Sequence, residues 1–151
     1  FKFRLLAVLR LRGRVKEEKE WELGALHQAK HQVLAEIAAS EAELRGLGLA
    51  PVGAEDTPVS VFELKLASDY GQLLERRIKN KIAAAAELDK KIDDKRQELV
   101  EALRGVKALE RLREHQAENF RREQDALEQK FADEVAQRKF VAGASRHKLP
   151  R

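Results

Sequence analysis

Two histidines have the spacing of a metal-binding pair. His27 and His31 are four residues apart, so a helix would place both on one face, as in helical zinc sites. A zinc ion takes three or four protein ligands, and the nearest further candidates are carboxylates such as Glu36. We therefore interpret both histidines as surface residues, and we expect no bound metal and no cofactor.

The other reactive side chains do not form a catalytic set. The sequence has no Cys, and it contains no Gly-rich phosphate-binding loop of the GxxxxGK type. Ser40, Ser60, Ser68 and Ser145 have no His at a spacing that would make one of them a nucleophile. We expect a protein that is not an enzyme.

The composition favours a coiled coil over a globular core. Of the 151 residues, 37% are charged and only 5% are aromatic, so few large side chains are available to fill a core. The net charge of +4 is unevenly spread. Residues 1–16 and 137–151 contain basic residues and no acidic ones, whereas the stretch between them is acidic. The chain is short enough to be a single domain.

The sequence predicts two long helices joined by a loop. Gly46 and Gly48 are typical helix stops, and Pro51 and Pro58 lie in the stretch that follows. Either Thr57 with Pro58 or the capping box that begins at Ser60 could start the next helix. Gly71 leaves open whether this helix is continuous or bends. The expected segments are helix 1 at about 4–45, a loop at 46–58, a short helical segment at 59–70, a long helix at about 72–141 and a frayed basic tail at 142–151.

Apolar residues on both helices recur at steps of 3 and 4, which is typical of helices that bury one narrow stripe against each other. One antiparallel register satisfies most of them, namely that in which facing residue numbers add to about 118. It pairs Leu44 with Leu74, Ile37 with Ile82, Val33 with Ala85, Leu26 with Ile92 and Leu9 with Leu109. We therefore expect an all-α fold, an antiparallel two-helix coiled coil (a long α-hairpin) with an overhanging C-terminal helix.

The overhang keeps an apolar stripe. In the expected register, the last ~25 residues of the second helix, from about Ala117, have no partner within the chain. Phe120, Leu127, Phe131 and Val135 still lie along this part. Exposed apolar stripes mark interaction sites, so we interpret these four residues as a partner surface. Packing on helix 1 through a different bend, or self-association, is the alternative.

Two further groups of residues are candidates for partner contacts. The basic ends, including Arg138 and Lys139, can attract an acidic partner or can serve only as solvated tails. Phe62 and Tyr70 flank the loop, where they either seal the tip of the hairpin or dock a partner.

Three segments of the chain resemble the FliJ family, the coiled-coil stalk proteins of the flagellar type III export apparatus. The first is the opening Phe1–Arg12, followed by Lys16–Glu20. The second is the stretch with Phe62, Tyr70 and Ile78 after the loop. The third is Lys107–Glu114 together with Glu128–Arg138, although Phe131–Glu134 opens less polar than the family pattern. The resemblance spans nearly the whole chain.

The resemblance implies a stalk similar to the gamma subunit of rotary ATP synthases. Such a protein binds the export ATPase hexamer, promotes assembly of the ring, and contacts the membrane export gate and substrate chaperones. It implies a cytoplasmic protein, peripheral to the inner membrane at the flagellar base. In agreement, no apolar run reaches the roughly 20 residues of a membrane span.

Other functions remain open from the sequence. An injectisome stalk and a central-axle subunit of a rotary ATPase would share the same pattern. The basic ends could instead bind nucleic acid or an anionic membrane, although no aromatic residues interleave with the bases as single-strand binding would favour. We expect no nucleic-acid partner. A homo-oligomeric scaffold is the third class.

Overall fold

The fold consists of two long α-helices. A computed structural model of the protein describes residues 1–48 and 60–147, and these contain helix α1 (Leu6–Gly48) and helix α2 (Val61–Arg146). The described part of the chain contains no β-strand. The predicted all-α class, with two long helices that pack against each other, is confirmed.

Helix α1 ends later than Gly46 suggested. It continues to Gly48, and Leu47 in this last turn is half-buried. A glycine inside a helix costs about 1 kcal/mol relative to alanine. Packing of Leu47 can offset a cost of that size, which explains why the first glycine does not stop the helix.

Helix α2 begins at the capping box and continues through Gly71. The backbone N–H of Glu63 donates to Oγ of Ser60 over 3.1 Å, so Ser60 caps the helix. Thr57, the other candidate cap, lies outside the described residues, as does most of the predicted loop. A separate short helix before Gly71 is absent, because α2 runs through this residue without a break.

The continuity of α2 at Gly71 has a packing reason. A Cβ atom added at Gly71 would lie 3.8 Å from Cδ1 of Leu44, which is ordinary van der Waals contact. Gly71 therefore lies at a position that faces α1, and close packing there compensates for its low helix propensity. At the other end, α2 extends to Arg146, so residues 142–146 of the tail predicted to fray are helical.

Contacts divide the chain into two units, which are described separately. The first unit comprises residues 1–13 and 104–151, and the second comprises residues 14–103. The second unit contains most of the predicted seam.

The seam of the second unit follows an unbroken repeat on α2. Apart from Leu103, the positions on this part of α2 that are not exposed step by 4 and 3, which is the coiled-coil heptad. They are Ala67, Gly71, Leu74, Ile78, Lys81, Ala85, Leu88, Ile92, Lys95, Leu99 and Ala102. Leu74 is fully buried, and Ile92 is 3% exposed.

Most of the seam residues predicted for this unit point inward. On α1, Ile37 is buried, and the half-buried residues are Leu26, Val33 and Leu44. On α2, the buried residues are Leu74, Ala85 and Ile92. Ile82 is the exception. It is 53% exposed, so its assignment to the seam is wrong. The heptad places Lys81 there instead, because the repeat selects a position on the helix and not the most apolar residue nearby.

Lysines at or beside the seam hold the two helices in register. Nζ of Lys95 lies 2.5 Å from Oε2 of Glu22, and Nζ of Lys19 lies 2.7 Å from Oε2 of Glu98. Two further pairs across the seam are Lys30 with Asp89, at 2.5 Å, and Lys81 with Glu36. A lysine can bury its aliphatic stem against the neighbouring helix while its ammonium group reaches a carboxylate at the rim.

Four charged residues form a connected network of ion pairs, namely Lys19, Glu98, Lys95 and Glu22. Nζ of Lys95 also lies 3.2 Å from Oε2 of Glu98, which therefore receives two ammonium groups. Hydrogen bonds from Lys19, and then from Lys95, lower the pKa of the Glu98 carboxyl. Hydrogen bonds to Glu22 and Glu98 raise the pKa of Lys95.

In the first unit, the beginning of α1 packs against α2 beyond Arg104. Leu9 and Leu109, a predicted pair, are both half-buried. Val106 is buried at 7% exposure, and so is Phe3, at 9%, which precedes α1. The backbone N–H of Leu6 donates to the carbonyl of Phe3 over 3.2 Å, which ties this segment to the first turn of the helix.

The network around Glu98 predicts a pH dependence of stability. Because the folded pKa of Glu98 is lowered, its contribution is present above the unfolded pKa of about 4.3 and is lost as the pH falls through the folded value. Thermal unfolding from pH 6 to pH 3 should therefore show a smaller loss of Tm for Glu98→Gln than for the unchanged protein. Glu101→Gln is the control, since Glu101 is exposed and belongs to none of the ion pairs among the described residues. Equal pH profiles for Glu98→Gln and the unchanged protein would contradict the prediction.

The different burial of two isoleucines on α2 gives a second prediction. Ile92→Ala should lower the free energy of unfolding by about 2–5 kcal/mol, because it leaves a cavity in the seam. Ile82→Ala should change it by no more than about 0.5 kcal/mol, because that side chain is mostly in solvent. Urea unfolding followed by circular dichroism measures both. A comparable loss in the two variants would mean that the seam does not run through Ile92.

Candidate partner-binding surface

The last part of α2 is the longest exposed stretch of helix in the described chain. From Arg121 to His147 every residue is exposed except Val135, which is half-buried. We call residues 121–146 the C-terminal segment. It lies in the first unit and continues α2 beyond the residues that pack against the start of α1.

Phe120 differs from the prediction, because it has an aromatic neighbour within the chain. Its ring centroid lies 5.9 Å from that of Phe1, with the rings tilted by 42°. Phe120 is 39% exposed as a result. The expectation that the overhang lacks a partner from Ala117 onward is wrong for this residue. The residues that precede α1 reach further along α2 than the helical register alone predicts.

Two of the remaining three stripe residues are open to solvent, and Val135 is half-buried. Leu127 is 58% exposed and Phe131 is 68% exposed, and with Val135 they follow one another at steps of four residues. Residues at this spacing share a face of the helix. Because they share a face, their exposed side chains can form one contiguous apolar patch, and such patches mark interaction sites.

Sequence reasoning missed two exposed apolar residues further along. Phe140 is 79% exposed and Val141 is 63% exposed. Val141 follows Leu127 by two heptads, so the repeat itself could have identified it. Val141 also lines a shallow groove with Glu134 and Arg138.

Positive charge lies next to this apolar surface. Arg138 and Lys139 are both exposed, and Arg138 follows Phe131 by one heptad, so the two residues lie on the same side of α2. The segment thus combines exposed aromatic rings with basic groups. Aromatic residues and arginine are enriched at interfaces, because burial of the rings removes apolar area from water and the guanidinium group can pair with a carboxylate of the partner.

Tyr70 and Phe62 lie near the start of α2, in the second unit. The hydroxyl of Tyr70 donates to Oε2 of Glu43 over 2.8 Å, which raises the pKa of the tyrosine. Tyr70 lines an apolar groove with Leu47 and Leu66. Phe62 is 74% exposed, so its ring is accessible to a partner.

The exposed apolar residues of this region are more numerous than the sequence analysis proposed. Val61, Leu64, Leu66 and Leu73 are each at least half exposed. Together with Phe62 and Tyr70 they are the exposed large apolar residues near the start of α2, and we call this group the tip surface. Its signal in the sequence is the run of large apolar residues that directly follows Ser60.

Neither a metal centre nor a membrane span is found among residues 1–48 and 60–147. No group of three or more His, Cys, Asp or Glu side chains in this part is arranged to hold a metal ion, and His27 and His31 are exposed. Neither α1 nor α2 has a stretch that is long and apolar enough to cross a bilayer.

Comparison with known proteins identifies the family. No curated protein and no solved structure matches the chain. The family model described as flagellar FliJ protein matches residues 1–145, so the resemblance found in the sequence is confirmed. Members of this family are non-catalytic components of flagellar protein export. The chain therefore belongs to the FliJ family of flagellar proteins.

Proposed function

We propose that this protein is a stalk that binds the hexameric export ATPase, promotes assembly of the ATPase ring and couples it to the export gate. The observation that carries the proposal is the C-terminal segment, which presents exposed apolar residues and basic groups along the same helix. A helix that enters the opening of a ring can be contacted from several sides, and this segment is exposed on all of them.

The apolar residues supply the expected binding energy. Complete burial of a side chain such as Phe131 or Leu127 contributes about 1.5–3 kcal/mol. Interfaces of this kind depend on a few large anchors, with the surrounding contacts serving to exclude water. Phe131, at 68% exposure, has the most apolar area to bury among the predicted stripe residues.

The basic residues supply orientation and association rate. Arg138 and Lys139 are exposed, and Arg146 lies in the last turn of α2. Charges at an interface steer the approach of an oppositely charged partner more than they add to affinity. An acidic lining of the ring is the surface that this segment would recognise.

The tip surface is suited to a second partner. Phe62 and Tyr70 lie in the second unit, whereas the C-terminal segment lies in the first. Two separate surfaces support a role in coupling, in which one surface binds the ATPase and the other the cytoplasmic domain of the gate or a substrate chaperone. On this proposal the protein is cytoplasmic and peripheral to the inner membrane at the flagellar base.

The alternative functions have less support. The match to a flagellar family favours flagellar export over an injectisome stalk or a rotary-ATPase axle. Binding to nucleic acid or to an anionic membrane would be favoured by a uniformly basic surface. The C-terminal segment instead includes Asp125, Glu128, Asp133 and Glu134 among its bases.

A single substitution tests the role of the C-terminal segment. Phe131→Glu should weaken binding to the flagellar export ATPase about tenfold or more, since it removes an anchor and places a charge in a buried contact. Stimulation of hexamer formation and of ATP hydrolysis should be lost in parallel. Sedimentation of the mixed proteins and a phosphate-release assay measure the two effects.

Ile82→Glu is the matched control for this experiment. It places the same charge at an exposed apolar position of α2 outside the C-terminal segment. The control should bind and stimulate like the unchanged protein. Equal behaviour of the two variants, or no binding by the unchanged protein, would refute the proposed function.

The basic residues of the segment predict a salt effect. Raising the NaCl concentration from 50 to 300 mM should weaken ATPase binding, because exposed charges are screened over a shorter distance at higher ionic strength. The double variant Arg138→Gln/Lys139→Gln should bind more weakly at low salt and should respond less to added salt. Titrations at four salt concentrations give the slopes. The same slope for the double variant and the unchanged protein would show that these two charges do not contact the ATPase.

A further inference from the structure

The side of α1 that faces away from the seam has an unusual composition. Exposed positions step by 4 and 3 from Trp21 to Ala42, with Ala25, Gln28, Gln32, Ala35 and Ala39 between them. None of these seven residues is charged, in a chain in which 37% of residues are. We call this stripe the outer face of α1. It lies entirely within the second unit.

The equivalent stripe on α2 has the charged composition that is usual for a solvent-facing side of a helix. It steps from Arg76 through the exposed positions 80, 83, 87, 90 and 94 to Gln97, and four of its seven residues are charged. Solvent-facing positions of a coiled coil normally carry charge, because they contact only water. The absence of charge on α1 is therefore a property of that face and not of the fold.

Trp21 is the strongest single feature of the outer face. It is the only tryptophan of the chain, and it is 76% exposed. Tryptophan is among the most effective anchors at interfaces, because burial of its large ring removes much apolar area from water. Gly24 lies one helical turn further on, and a Cβ atom added there would meet nothing within 4 Å. The surface beside the indole is thus open to another helix.

We propose that the outer face of α1 binds the outer face of a second copy of this chain, with the two helices antiparallel. The stripe is self-complementary under a two-fold axis near Gln32. Trp21 of each copy then lies over Ala42 of the other, and Ala25 faces Ala39. Gln28 faces Ala35, and the two Gln32 amides meet at the axis, where they can hydrogen-bond to each other. Such an isologous contact places Trp21 and Gln28 each against an alanine of the other copy.

Charges at the ends of the stripe favour this orientation. Glu17 and Glu18 precede Trp21, so that end of the stripe is acidic, whereas Glu43 and Arg45 follow Ala42 and balance each other; all four side chains are exposed. An antiparallel pair brings Glu18 of one copy to Arg45 of the other at both ends of the contact. A parallel pair would place the acidic ends together, where like charges repel.

The small area of the stripe indicates a weak dimer. From Trp21 to Ala42 the helix rises about 32 Å and is about 10–12 Å wide with its side chains. This footprint is smaller than the ~800 Å² per partner of a stable interface, so the dimer is weak and forms in a concentration-dependent way.

The experiment compares two alanine-to-glutamate variants of the full chain. Ala35→Glu places a carboxylate on the outer face, and two-fold symmetry places two of them in each dimer. Ala83→Glu makes the same change at an exposed position of the equivalent stripe on α2. Circular dichroism checks that both variants are as helical as the unchanged protein, and sedimentation equilibrium from 5 to 500 µM gives the mass.

The proposal expects the unchanged protein and Ala83→Glu to approach twice the mass of one chain with rising concentration. Ala35→Glu should need at least a tenfold higher concentration. Trp21 provides an independent readout, because its fluorescence should shift to shorter wavelength as the dimer forms and should not shift in Ala35→Glu. A monomer at every concentration, or a dimer that is equally sensitive to both variants, would overturn the proposal. Neither result bears on ATPase binding by the C-terminal segment.

Discussion

The repeat of α2 is the constraint on which the rest of the structure depends. Eleven positions from Ala67 to Ala102 turn toward α1 at steps of 4 and 3. A stripe of this width is narrow, so the two helices bury only a few residues deeply, such as Leu74 and Ile92. The second unit is stable only if every turn of α2 keeps the step of 4 and 3. The helix keeps this step through Gly71. A bend at Gly71 would have moved all later positions off the seam.

The lysines of the seam specify the register and the direction of the helix pair, which the apolar residues cannot specify. Leucine and isoleucine side chains would pack almost equally well one heptad away, because the hydrophobic effect has no direction. Four lysines reach carboxylates of the opposite helix, two from each side, and a shift by one heptad would separate all four pairs. Exposed pairs of this kind contribute little stability one by one, but together they select one register and the antiparallel direction.

Because the seam uses only one side of each helix, the other sides are available for partners. The C-terminal segment, the tip surface and the outer face of α1 each carry exposed apolar side chains, and each has a different composition. In the proposals made above, the C-terminal segment binds the ATPase ring, the tip surface binds a gate domain or a chaperone, and the outer face of α1 binds a second copy of the same helix. Membership of the FliJ family makes the protein a component of flagellar protein export.

The sequence by itself determined the class of the fold, the family and most of the seam, since these follow from residue order and from the spacing of Leu, Ile and Val along the helices. The capping box at Ser60 was also visible, because a cap is a local interaction. Packing against α1 decided that Lys81 and not Ile82 faces the seam. It also decided that Gly71 does not break α2, because Leu44 packs onto it. The contact of Phe1 with Phe120 joins residues outside the helical repeat, so no periodicity could predict it. Local and periodic features can be read from the chain, whereas contacts between distant residues depend on where the fold brings them together.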